Sequence, residues 1–132
     1  MLEAMGGTFD GEESARRRLG RVINNRAELL LVAASGGRLL GYAWAHQGLA
    51  HIRGGLSTVR LSDLFVSPSW RRRGVGRQMF DAVLSWARSL EGAAWLEWQA
   101  SEAAVPFYER MGLYGDPCPD PDHPYFEVKL RE

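Results

Sequence analysis

Leu61-Ser62-Asp63-Leu64-Phe65-Val66-Ser67-Pro68-Ser69-Trp70-Arg71-Arg72-Arg73-Gly74-Val75-Gly76 reads as a buried strand, a short turn and a glycine-rich, cationic entry into a helix. That order builds an anion pocket. Backbone N–H groups at a helix start have no intrahelical acceptor and carry partial positive charge, so a phosphate placed there needs no dedicated side chain. Gly74 and Gly76 let a ligand approach the main chain, and Arg71, Arg72, Arg73 and Arg77 surround it with charge. Phosphate binding is the first functional expectation. The pattern is neither a P-loop, since no Gly-x-x-x-x-Gly-Lys occurs, nor a dinucleotide fingerprint, since Met79 stands at the third glycine position.

Downstream, Val75, Met79, Val83 and Ala87 recur every four residues, with Phe80, Leu84 and Leu90 on the adjoining stripe. This spacing predicts an amphipathic helix ended by Gly92. Residues 93–99 follow as a buried strand, 105–111 as a short helix stopped by Gly112, and 125–130 as a last strand. The prolines at 117, 119, 121 and 124 space out an acidic loop that reads as a stiff connector. Upstream, residues 28–34 and 38–46 predict two strands joined by a Gly36-Gly37 hairpin turn. A second turn at 53–55 leads into a strand over 58–66. Residues 14–24 have the 3, 4 spacing of a surface helix with Ser14 as its N-cap, whereas 1–13 form a loose lead-in. The strand–helix–strand unit around 74–92 implies a parallel pair inside a mixed sheet.

The 132 residues suit one domain with a real core. Sixteen basic residues balance sixteen acidic ones, which argues against nucleic acid as a partner. A single cysteine, Cys118, excludes an internal disulfide, and the cysteine and histidine pattern predicts no metal site. No apolar run approaches a membrane span and no secretion signal is visible, so a soluble protein of the cytoplasm is expected. Trp44, Trp95 and Trp98 read as packing residues, and His46 and His51 as strand and turn residues.

Two motifs in this order resemble the GNAT superfamily of acetyl-CoA-dependent N-acetyltransferases. One is Arg71-Arg72-Arg73-Gly74-Val75-Gly76, matching Arg/Gln-x-x-Gly-x-Gly/Ala. The other is Ala104-Val105-Pro106-Phe107-Tyr108-Glu109-Arg110-Met111-Gly112, matching Ala-x-x-Phe-Tyr-x-x-x-Gly. The resemblance implies a single α/β domain over residues 14–132, with a central mixed, mostly antiparallel twisted sheet flanked by helices and its first strand short or missing. It implies acetyl-CoA as co-substrate and a primary amine as acceptor. It further implies that the pyrophosphate rests on the turn from Arg72 to Arg77, that the pantetheine arm runs beside Leu64, Phe65 and Val66, that Phe107 contacts the cofactor, and that Tyr108 protonates the leaving thiolate. Where an asparagine often stands in the family, seven residues before the tyrosine, this chain has Ser101, which offers its hydroxyl to the cofactor arm or caps the helix. Many members have glycine where Arg72 stands.

Acetyl transfer to an amine needs a proton acceptor. Some polyamine acetyltransferases of the superfamily carry Leu-Glu-Asp where this chain has Leu61-Ser62-Asp63. Asp63 therefore remains as a candidate base, with Glu97 on the neighbouring strand as the second and a bound water as the third. A non-catalytic acyl-CoA-binding module that has lost its base is the alternative function. A missing first strand would leave the edge at 28–34 exposed, which predicts pairing with a second copy of the chain.

Overall fold

Alternation along β2 (Arg38–Gln47) sets the two faces of the sheet. Ala43 and Ala45 are completely buried, while Trp44 and His46 between them face the other way and are half-buried. The computed structural model describes residues 27–49, 54–116 and 121–131. The helix expected over 14–24, the lead-in and the centre of the proline loop lie outside the described residues, as does the expectation for the first strand.

β1 (Glu28–Ser35), β2, β3 (Ser57–Val66), β4 (Ala93–Gln99) and β5 (Tyr125–Lys129) form one five-stranded sheet in the order β1-β2-β3-β4-β5. β1, β2 and β3 pair antiparallel, β3 and β4 parallel, and β4 and β5 antiparallel. Gly36 and Gly37 both have positive φ, 56° and 77°, the conformation that matches a two-residue hairpin loop to strand twist. The parallel step requires a crossover. It is made by α1 (Val75–Ser89).

The sequence stripe on α1 is the buried one. Met79, Phe80, Val83 and Ala87 are buried against the sheet, with Leu84 and Leu90 packed alongside. Across from them lie Val59, Leu61, Leu96, Trp98 and Phe126. Val59, Leu96, Trp98 and Phe126 are at most 1% exposed, so each contributes roughly 1.5–3 kcal/mol through burial. α2 (Val105–Glu109) follows a 3-10 turn at Glu102–Ala104 and is shorter than the sequence predicts. Its end tightens into Arg110 N–H to Pro106 O and Met111 N–H to Tyr108 O bonds, and Gly112 leaves it with φ 81°.

Candidate functional site

Two irregularities in β3 open the sheet. The first is a bulge. Trp44 pairs with Asp63 and Ala45 with Leu61, which leaves Ser62 as an extra residue. The second is a splay. Parallel pairing with β4 runs only from Ser57↔Ala93 to Arg60↔Glu97, while β3 stays paired to β2 through Val66. Among the described residues, Leu61 to Val66 therefore present one edge with no strand beside it.

A cavity of about 430 Å³ fills this splay. Ser62, Asp63, Leu64 and Phe65 form its β3 wall, and Trp98 and Gln99 of β4, with Ala100 just past it, the opposite wall. Ser101, Ala104 and Tyr108 close one end, with Arg71 at the margin. A second hollow of about 340 Å³ lies against α2, between Glu102 and Pro124, and holds none of the candidate residues.

The glycine turn continues from the same strand. Gly74 caps α1 in the left-handed conformation, φ 84°. The helical ladder begins with Gln78 N–H donating to Gly74 O at 3.0 Å, so the N–H groups of Val75, Gly76 and Arg77 lie ahead of it. Arg72 also has positive φ, 62°. A conformation that suits glycine thus occurs at the position where glycine is common in the resembling family. The arginines are not equivalent. Arg71 Nε donates to Val66 O at 3.0 Å and its guanidinium lies 5.9 Å from the Phe65 ring centre, whereas Arg73 covers Trp70 at 4.9 Å.

Gly76 serves packing. A Cβ there would sit 3.3 Å from the Phe107 ring and 3.5 Å from Val66 Cγ2. Its hydrogen is what lets α1 meet α2 beside the tyrosine. Gly74 has open space instead.

Tyr108 is 5% exposed and enclosed by aromatic rings. Its ring centre lies 5.0 Å from those of Trp98 and Phe107, 5.1 Å from Phe126 and 5.9 Å from Phe80. Burial pushes its phenol well above the ordinary value of 10.0, which keeps it protonated and able to donate. Asp63, half-buried on the cavity wall, is also held above the usual carboxylate range by burial. Tyr42, diagonal to it on the adjacent β2, is pushed up to about 12 by burial and then by the negative charge of Asp63.

Glu97 lies elsewhere. Its Oε1 is 3.5 Å from Arg60 Nη1, which also donates to the Tyr125 hydroxyl, and it is not part of the cavity wall. Ser101 reaches the cavity, and its side chain makes no capping hydrogen bond. The structure thus brings together Asp63, Leu64, Phe65, Arg71, Ser101 and Tyr108, and sets Glu97 apart in an ion pair. Sequence reasoning missed Trp98 as a wall residue. Its Nε1–H is buried without an acceptor among the described residues.

The sequence profile of the acetyltransferase (GNAT) family matches residues 3–113. The chain belongs to that family. A glucosamine 6-phosphate N-acetyltransferase of Trypanosoma brucei brucei is 32% identical over 77 residues, 58% of this chain, which spans about half (52%) of that relative's length. Among solved structures, a GNAT-family protein from Desulfovibrio desulfuricans superposes with a TM-score of 0.70 at 21% identity, covering 98% of this chain and 88% of its own. Glucosamine-6-phosphate N-acetyltransferase from Arabidopsis thaliana gives 0.70 at 17% identity, with 81% and 76% covered. The mixed sheet flanked by helices is therefore the GNAT fold.

Two expected results follow from this GNAT site. Gly76→Val should push Phe107 and the start of α1 apart and weaken acetyl-CoA binding about tenfold or more, roughly 1.4 kcal/mol. Wild-type affinity in a calorimetric titration would refute it. Asp63→Asn should raise the melting temperature at pH 7. Because burial raises the Asp63 pKa, the folded protein holds this proton more tightly than the unfolded chain, so stability declines as pH rises from the unfolded value through the folded one. Asparagine escapes that cost. The gain should shrink below about pH 4, where aspartate is protonated in both states. A gain that is equal at all pH values would assign it to packing instead.

Proposed function

We propose that this chain transfers an acetyl group from acetyl-CoA to a primary amine by direct attack on the thioester. The observation that carries this is the continuity of a β3 edge that is unpaired among the described residues with the N–H groups that precede the α1 hydrogen-bond ladder. An extended arm can pair with main chain at Leu64, Phe65 and Val66 while its phosphates rest on the turn from Arg72 to Arg77, with Arg71 and Arg73 alongside. Residues of both parts fit such a ligand. They offer main-chain donors, positive charge and an apolar wall.

Asp63 receives a proton from the amine, Tyr108 gives one to the departing sulfur, and Ser101 contacts the arm. An ordinary alkylamine with pKa near 10.4 is neutral only about one part in a few thousand at pH 7, a cost of roughly 4–5 kcal/mol. A carboxylate whose pKa burial has raised is better matched to accept that proton than an ordinary one. Glu97 is a weaker base candidate because Arg60 already shares its charge.

The test is calorimetric titration with acetyl-CoA, using desulfo-CoA and adenosine 3′,5′-bisphosphate as controls, followed by an amine panel. The panel is glucosamine 6-phosphate, spermidine, kanamycin and a peptide with a free α-amine. Glucosamine 6-phosphate heads it because relatives of that name match the chain. Micromolar binding with turnover of at least one amine supports the reading. Binding without any turnover favours a non-catalytic acyl-CoA module, and absence of binding removes both.

A further inference from the structure

We infer that Ser62 and His46 form a relay that carries a proton from the acceptor amine to solvent, Ser62 touching the nitrogen and His46 acting through it. This rests on the acetyl-transfer reading above. Ser62 is the extra residue of the β3 bulge and lines the same cavity as Asp63 and Tyr108. Its Oγ lies 3.4 Å from His46 Nδ1 on β2, at the protein surface. With the imidazole proton on Nε2, Nδ1 accepts from the Ser62 hydroxyl and leaves the Oγ lone pairs for an N–H in the cavity.

The reaction requires such an exit. A protonated amine and a thioester give an amide, a thiol and one free proton, so the nitrogen loses two protons. As the first leaves, Ser62 Oγ accepts it and passes its own proton to His46 Nδ1, and the imidazolium releases one to water. Nitrogen then bonds to the acetyl carbon and its second proton goes to Asp63. The C–S bond breaks with its electron pair on sulfur, Tyr108 protonates that sulfur, and the Asp63 proton restores Tyr108. The sum is one proton to solvent and one to the thiol.

Among the described residues, the charged groups paired with His46 are engaged elsewhere. Its Cα partner on β1, Glu28, takes the Trp44 Nε1–H at 2.6 Å. Its Cα partner on β3, Arg60, is bonded to Glu97 and the Tyr125 hydroxyl. Asp63 lies one residue beyond Ser62, opposite Trp44. Among the described residues, Ser62 is the hydrogen-bonding contact of the ring.

The experiment compares pH–rate profiles of wild type, Ser62→Ala, His46→Ala and the double variant, using the panel amine turned over fastest. Each single variant should lower kcat about 10- to 100-fold at pH 7, with KM for acetyl-CoA unchanged. The double variant should lose no more than the worse single. The loss should vanish above the acceptor's own pKa, where its nitrogen arrives neutral, and added imidazole should restore His46→Ala but not Ser62→Ala. A loss equal at every pH, multiplicative singles or wild-type profiles would overturn the relay. Ser62 is exposed, so its variant decides the matter alone where His46→Ala does not fold. Wild type that binds acetyl-CoA yet acetylates no amine removes the acetyl-transfer reading and the relay together. Turnover with unchanged variants removes only the relay.

Discussion

Tyr108→Phe is expected to lower kcat about 10²- to 10³-fold while leaving acetyl-CoA affinity within twofold. The substitution keeps the ring among Phe80, Trp98, Phe107 and Phe126 and deletes one hydroxyl, so the cavity keeps its wall. Among the described residues nothing accepts a hydrogen bond from that hydroxyl. Removing it thus leaves no buried partner orphaned, and stability should hold or rise. Burial lifts the phenol well above 10.0, so the wild-type alkaline limb due to this group should lie beyond pH 10, where an ordinary phenol is already half ionised. Steady-state kinetics from pH 6 to 10 checks both points. An unchanged kcat across that range would mean that water, not Tyr108, protonates the sulfur.

The strand, turn and helix at 61–89 are legible because each rests on local chemistry. Alternation, glycines at the turn and a four-residue apolar repeat all point the same way. Tyr108 and the glycine turn come into one site for the same reason, since a single helix and strand separate them. What is not legible depends on pairing between distant segments. The splay exists because β3 and β4 part after Arg60 and Glu97, and neither strand carries a residue that announces it. The separation of Glu97 from the cavity follows from Arg60, 37 positions earlier, and Tyr125, which reaches Arg60 from β5. Ser62 reads as a lost glutamate. Only the bulge shows that its hydroxyl meets His46, a residue the sequence places merely in a strand.

Gly41→Ala should destabilise the protein by about 3 kcal/mol, near the upper end for overpacking, and lower the melting temperature by roughly 10 °C. Sequence patterns find glycines at turns, and Gly41 is inside β2. A Cβ there would lie 2.3 Å from Phe65 O and 3.1 Å from both Val66 Cα and Met79 Cε. Met79 is a flexible side chain and can move. The Phe65 carbonyl belongs to the backbone of β3 and cannot move without shifting the strand. That stretch also anchors the glycine turn, since Val66 O holds Arg71 and Ser67 N–H donates to Leu40 O at 2.6 Å. Loss of acetyl-CoA affinity should therefore accompany loss of stability, even though Gly41 does not line the cavity. Thermal melts and calorimetry on one preparation measure both. If alanine were accommodated with an unchanged melting temperature, β2 and β3 would have to separate at Gly41↔Val66 at little cost, and the β2 contact would not be what holds the glycine turn in place.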